Sequence, residues 1–95
     1  MEKHTFEITE TFEVTFPHFR RYEFFFYKVL NDRFEIRVEY FPCTNTDKSL
    51  ESASIRYDKI VKQNTFRYGS YEITESEFEE TFLRAIQIIN NHKNN

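Results

Sequence analysis

From His4 to Phe16 the chain alternates almost without a break. Phe6, Ile8, Phe12, Val14 and Phe16 occupy even positions, while Thr5, Glu7, Thr9, Thr11, Glu13 and Thr15 occupy odd ones. A period of two marks a half-buried β-strand, because successive side chains leave opposite sides of the pleat. One straight strand over residues 4–16 would span about 43 Å at ~3.3 Å per residue. A domain of this size has a radius of gyration of only about 13 Å. The segment therefore bends or breaks, and Glu10, the one charge on the apolar parity, marks the place. A tight two-residue hairpin there would turn Phe12, Val14 and Phe16 to the wrong face. A bulge or kink is the expected solution, with Pro17 ending the strand.

Residues 21–41 predict a second strand, a turn at Asn31-Asp32 and a third strand. A two-residue loop there sets Val29 opposite Phe34, Tyr27 opposite Ile36 and Phe25 opposite Val38. The predicted core face then carries Phe25, Tyr27, Val29, Phe34, Ile36, Val38 and Tyr40. The other face carries Phe24, Phe26 and Leu30 beside Arg33, Glu35, Arg37 and Glu39, with Lys28 placed to pair with Glu35. Cys43–Ser52 is polar and reads as a loop. Residues 53–62 fit a strand through Ala53, Ile55, Tyr57 and Val61. They also fit a helix through Leu50, Ala53, Tyr57 and Ile60, and strand is the reading adopted. Thr65–Ile73, with Gly69 as a bend, reads as a short strand.

The clearest helix starts at Thr74. Thr74-Glu75-Ser76-Glu77 is a capping box, and the glutamates of the first turns complement the helix dipole. Phe78, Phe82, Ala85, Ile86 and Ile89 form the apolar stripe, and His92–Asn95 is expected to fray. The fold class that follows is α+β: a single domain over 1–95, an antiparallel sheet of about four or five strands, and a C-terminal α-helix packed on one face.

The 95 residues include 12 Phe and 6 Tyr but 1 Gly and no Trp, so the core is built of large pieces. The net charge of −3 is segregated. Both flanks are acidic and residues 20–67 are mildly basic, a balance weaker than free nucleic-acid binders carry. Acidic flanks fit a basic partner. A lone Cys43 excludes an internal disulfide. No apolar run approaches spanning length and no signal-peptide core is present, so the expected location is cytoplasmic, with no membrane partner.

His4, His18 and His92 have no ligand-spaced companions, so no metal or cofactor is expected. Cys43 lacks a flanking glycine loop, and the glutamates of 75–80 read as a solvated helix face. Enzymatic activity is not expected. The segment His18–Lys28 interleaves base and aromatic. A central buried strand explains that pattern; a platform for single-stranded RNA is the alternative.

One helix covers one face, so the outer-face aromatics need another cover or a partner. The candidate partner-binding residues are Arg20, Arg21, Tyr22, Phe24, Phe26, Arg37 and Glu39. In size and composition the chain resembles the small phage and mobile-element inhibitors of host defence systems, the anti-CRISPR proteins among them; no residue motif carries that likeness. The expected function is non-enzymatic binding to a protein, which can be part of a nucleoprotein complex, with an RNA-binding module or a homodimer as the alternatives.

Overall fold

The computed structural model describes residues 3–42 and 51–93. Its elements are strands β1 (Lys3–Glu7), β2 (Thr11–Thr15), β3 (His18–Tyr22), β4 (Phe25–Val29), β5 (Phe34–Phe41) and β6 (Ser52–Lys59). A short helix α1 (Lys62–Thr65), strand β7 (Tyr71–Glu72) and helix α2 (Glu75–Lys93) follow. The main sheet is fully antiparallel in the order β6-β5-β4-β3-β7, and β1 and β2 form a separate two-stranded sheet. The α+β architecture is the one the sequence predicts. The loop expected over Cys43–Ser52 lies, up to residue 50, outside the described residues.

The opening alternation breaks at Ile8–Glu10 as a hairpin, not as a bulge or kink. Three loop residues set Phe6 opposite Phe12 and His4 opposite Val14. An odd-length loop keeps the even residues on one face, so the hairpin preserves the parity that a two-residue turn would break. Phe6 and Val14 are buried against Val29 and Phe66, with Ile8, Phe12, Phe16 and Ile60 around them. This hairpin is the second cover that a single helix could not supply.

The expected 21–41 hairpin differs in two ways. Residues 18–29 form a hairpin of their own, β3–β4, which turns at Glu23-Phe24 with Glu23 at φ 51°. The following loop has three residues, Asn31–Arg33, because the Asn31 Oδ1 accepts from both the Arg33 N–H (2.8 Å) and the Phe34 N–H (2.9 Å), an Asx-type cap. The register is therefore Phe26↔Val38, Lys28↔Ile36 and Val29↔Glu35, one residue from the two-residue expectation. That slip inverts β4. Phe26 enters the helix-side core, and Phe25 and Tyr27 turn away from it. Lys28 lies beside Ile36, not Glu35, and its ammonium sits 5.8 Å from the centre of the Phe19 ring.

The helix-side core gathers Phe19, Phe26, Val38, Ile73, Phe78 and Ala85, flanked by Ile36, Tyr40, Ala53, Ile55 and Phe82. Ile88 is buried too, a member of the stripe that the sequence reading passed over for Ile89, which is only half-buried. The α2 start is as expected. Thr74 Oγ1 accepts from the Glu77 N–H at 3.1 Å, and its hydroxyl donates to Glu77 Oε1 at 3.2 Å. Residues 53–59 are strand. Thr65–Ile73 is not one strand: it holds the end of α1, a turn through Gly69 (φ 91°) and only two residues of β7. The helix runs regularly to Lys93, past the expected fray at His92. The domain is thus three layers: β-hairpin, five-stranded sheet, helix.

Candidate functional site

The register writes the hairpin-side face of the sheet as three rows. The first is Tyr22–Phe25–Glu39–Ser54, the second Arg20–Tyr27–Arg37–Arg56, the third His18–Val29–Glu35–Asp58. The β1–β2 hairpin, with Phe66, covers His18 and Val29 of the third row and the Arg20 end of the second, while Asp58 at the far end of the third row stays exposed. The first row stays open. Its aromatics continue into the β3–β4 turn and the end of β5. The Phe24 and Phe41 ring centroids are 5.4 Å apart, and Phe25 meets Phe41 edge-on at 6.2 Å. Phe24 is 41 % exposed and Phe41 40 %.

Charges border this patch. Glu39 bridges two neighbours: its Oε2 accepts from the Ser54 hydroxyl at 2.8 Å, and its Oε1 lies 3.6 Å from Arg37 Nε. Arg67 arrives from the segment after α1. Its Nε donates to the Asn64 carbonyl at 2.8 Å, and its guanidinium lies 4.4 Å from the Tyr22 ring centroid and 5.8 Å from that of Phe25. The result is an aromatic centre with a charged rim, the anatomy of a protein interface.

The expected site residues divide accordingly. Tyr22, Phe24, Arg37 and Glu39 meet on this surface. Arg20 does not: it is 8 % exposed, donates to the Ser70 carbonyl at 2.8 Å and to its hydroxyl oxygen, and has its guanidinium 5.0 and 5.2 Å from the Phe12 and Phe66 ring centroids. Arg21 is on the opposite face, with its guanidinium 4.6 Å from the Phe26 ring centre and its Nε donating to the Glu23 carbonyl. Phe26 is core, 5 % exposed. The expected sharing of one outer face by Phe24 and Phe26 is therefore corrected, because the three-residue loop exchanges Phe26 for Phe25. Phe25, Phe41 and Arg67 are the members that sequence reasoning missed. The Asn31 cap is the signal that would have found Phe25. Phe41 stands at the strand end before Pro42, and nothing near Arg67 in the sequence marks it.

The groups with displaced protonation lie elsewhere. Burial pushes the Glu35 carboxyl up (it is 2 % exposed), against the hydrogen bond donated by the Thr65 hydroxyl and the nearby Arg37 charge. Burial also raises the Tyr27 phenol and lowers the His18 imidazole, where Glu72 at 3.5 Å works the other way. All three groups are buried and none is among the exposed rings of the patch, although Tyr27 adjoins its rim through Arg67 and Arg37. Clefts flank the hairpin layer. One of 420 Å³ is lined by His18, Arg20, Glu13 and Glu72, and one of 660 Å³ by His4, Arg33, Lys59 and Lys62. Among the described residues no group of three or more His, Cys, Asp or Glu is placed to hold a metal ion. No helix among them is long and apolar enough to cross a membrane. No protein family, curated protein or solved structure matches this chain.

Proposed function

We propose that this domain is a non-catalytic binding protein whose partner is another protein, gripped by the open half of the hairpin-side face. One observation carries the reading. Tyr22, Phe24, Phe25 and Phe41 form a contiguous, partly exposed aromatic patch whose rim is the Arg37–Glu39 pair and Arg67. Aromatics and arginine are the residue types whose truncation most often costs ~2 kcal/mol or more in an interface. A stacking platform for RNA fits less well. Base stacking needs free ring faces, and Arg67 already lies over Tyr22 and Phe25. Size and composition favour the narrower reading, an inhibitor of phage or mobile-element type aimed at a host defence protein.

The test is an affinity pull-down with mass spectrometry from a host lysate, with and without nuclease, using wild type and Phe24→Ser/Phe41→Ser. Both rings are only about 40 % exposed, so the double variant is expected to stay folded with a lowered melting temperature and to lose the captured protein. A partner that vanishes on nuclease treatment, or that the double variant captures equally well, overturns the reading.

A further inference from the structure

We propose that β6 is a self-pairing edge, and that a second copy of this chain adds to it antiparallel to give one continuous ten-stranded sheet. β6 is eight residues long and occupies the outside of the main sheet, whose other edge, β7, has only two. Its backbone direction can be read from the ladder. The Leu30 N–H donates to Phe34 O and the Tyr40 N–H to Phe24 O, so the even residues of β5 are committed to β4. The odd residues of β5 therefore face β6, as the Ile60 N–H donating to Arg33 O confirms at 2.8 Å. With Glu35↔Asp58 and Arg37↔Arg56 as partners, the even residues of β6 point inward. The N–H and C=O groups of Ala53, Ile55, Tyr57 and Lys59 point outward, at an edge that no other described strand pairs with, and of these the Lys59 N–H is held by the Asp58 Oδ1.

Such an edge pairs with its own copy about a two-fold axis perpendicular to the sheet, which makes the contact isologous. The charges select one register. An axis midway between Ile55 and Tyr57 would put Arg56 opposite Arg56. An axis through Tyr57 instead puts Arg56 of each copy opposite Asp58 of the other, twice. That register makes Tyr57 face Tyr57 through two backbone hydrogen bonds. It places each Arg56–Asp58 pair at a non-hydrogen-bonded site, where the Cα atoms come within about 4.5 Å and side chains meet most closely. Arg56 and Asp58 are both exposed, and neither takes part in an ion pair among the described residues. Asp58 Oδ1 accepts from the Lys59 N–H, leaving Oδ2 for the arginine of the second copy. Tyr57 at the axis is 66 % exposed and stacks on Phe34 at 5.4 Å, which holds its ring in place for the ring of the second copy. A perpendicular axis also leaves the hairpin-side faces of both copies pointing the same way.

The charge pattern makes the proposal testable by swap. Sedimentation equilibrium at protein concentrations up to about 100 μM covers Kd values typical of weak dimers. Wild type is expected at twice the 11.7 kDa chain mass. Asp58→Arg and Arg56→Asp each set like charges opposite, and each is expected to weaken the dimer at least about tenfold. The swap Arg56→Asp/Asp58→Arg restores both pairs and is expected to restore the dimer. Tyr57→Pro removes an outward N–H without touching the β5 ladder, and is expected to be a folded monomer by circular dichroism. A monomeric wild type, single reversals without effect, a swap that fails to restore, or a folded Tyr57→Pro dimer each overturns the proposal.

Discussion

Phe25 and Phe26 are neighbours of identical chemistry with opposite roles, so a pair of alanine variants measures the register of the sheet directly. Phe26 is 5 % exposed and belongs to the core with Phe19, Val38 and Phe78. Truncating a buried Phe removes its transfer free energy and leaves a cavity, together about 3–5 kcal/mol. The Arg21 guanidinium over the same ring adds roughly 0.5–1 kcal/mol. Phe25 is half-buried, and its neighbours are the rim group Arg67 and the exposed Phe41. Its loss opens a surface dent that water fills. Only about half of the ~1.5–3 kcal/mol for burying a Phe is at stake, or about 1–1.5 kcal/mol.

A domain of 60–100 residues loses ~4–8 °C of melting temperature per kcal/mol. Phe25→Ala is thus expected to lower the transition by roughly 5–10 °C, and Phe26→Ala by about 15 °C or more. Urea unfolding followed by circular dichroism gives the same contrast as midpoints, without relying on reversibility at high temperature. If Phe26→Ala is too unstable to purify while Phe25→Ala folds, the order is already established. If Phe25→Ala costs as much as Phe26→Ala or more, β4 is turned the other way. The three-residue loop, the inverted face and the aromatic patch would then fall together.

Three further outcomes are expected. Thr74→Ala should lower stability by about 1 kcal/mol through loss of the α2 cap, read as a shifted urea midpoint at unchanged slope. Protonation should act in opposite senses at two buried groups, checked by melting curves across pH. His18, with its pKa lowered in the fold, destabilises as pH falls through the ordinary imidazole value near 6.5, so His18→Phe should show a smaller drop between neutral and mildly acid pH. Glu35, with its pKa raised, contributes stability that is full below the ordinary carboxylate value and is lost as pH rises through the folded one; the advantage of Glu35→Gln over wild type should therefore grow with pH. Labelled single-stranded RNA should bind at most weakly at physiological salt, with a steep salt dependence in fluorescence anisotropy; submicromolar affinity lost in Arg37→Ala/Arg67→Ala would restore the nucleic-acid reading.

The fold class was legible because it rests on periodicity. The helix showed its cap at Thr74 and its stripe from Phe78, and the strands showed alternation. Faces were less legible, because they depend on the parity of loops. At Asn31–Arg33 the chain uses three residues where the turn signal suggests two, and the extra residue changes which side chains look inward, whereas at Ile8–Glu10 the three-residue loop keeps the even residues on the one face that the alternation predicts. The β3–β4 turn was hidden for another reason. Glu23-Phe24 carries no Gly, Asn or Pro, and Glu23 takes the left-handed conformation without the residue type that usually announces it. Of the candidate surface, four residues were found on composition and position; Phe25 was missed through the parity of the Asn31–Arg33 loop, and Phe41 and Arg67 depend on contacts between separate segments.

The interleaved bases and aromatics of 18–28 show how a binding signature can be spent inside a fold. A chain with 12 Phe but only 2 Ala and 1 Gly has few small residues to fill gaps between the rings of its core. Flat, weakly hydrated guanidinium groups suit those gaps, since they stack on ring faces while their edges keep hydrogen bonds. Arg20 does this against both Phe12 and Phe66 while donating to Ser70, and Arg21 does it over Phe26 while donating to Glu23. Lys28 over Phe19 is the ammonium counterpart. The side chains that looked most like a nucleic-acid grip are therefore parts of the packing. The same stacking continues to the edge of the covered region, where Arg67 lies over Tyr22 and Phe25. Beyond it the rings of Phe24 and Phe41 pair with each other, and Phe41 meets Phe25, with no guanidinium over Phe24 or Phe41 among the described residues. The outward face of the domain begins where its own arginines stop covering its phenylalanines.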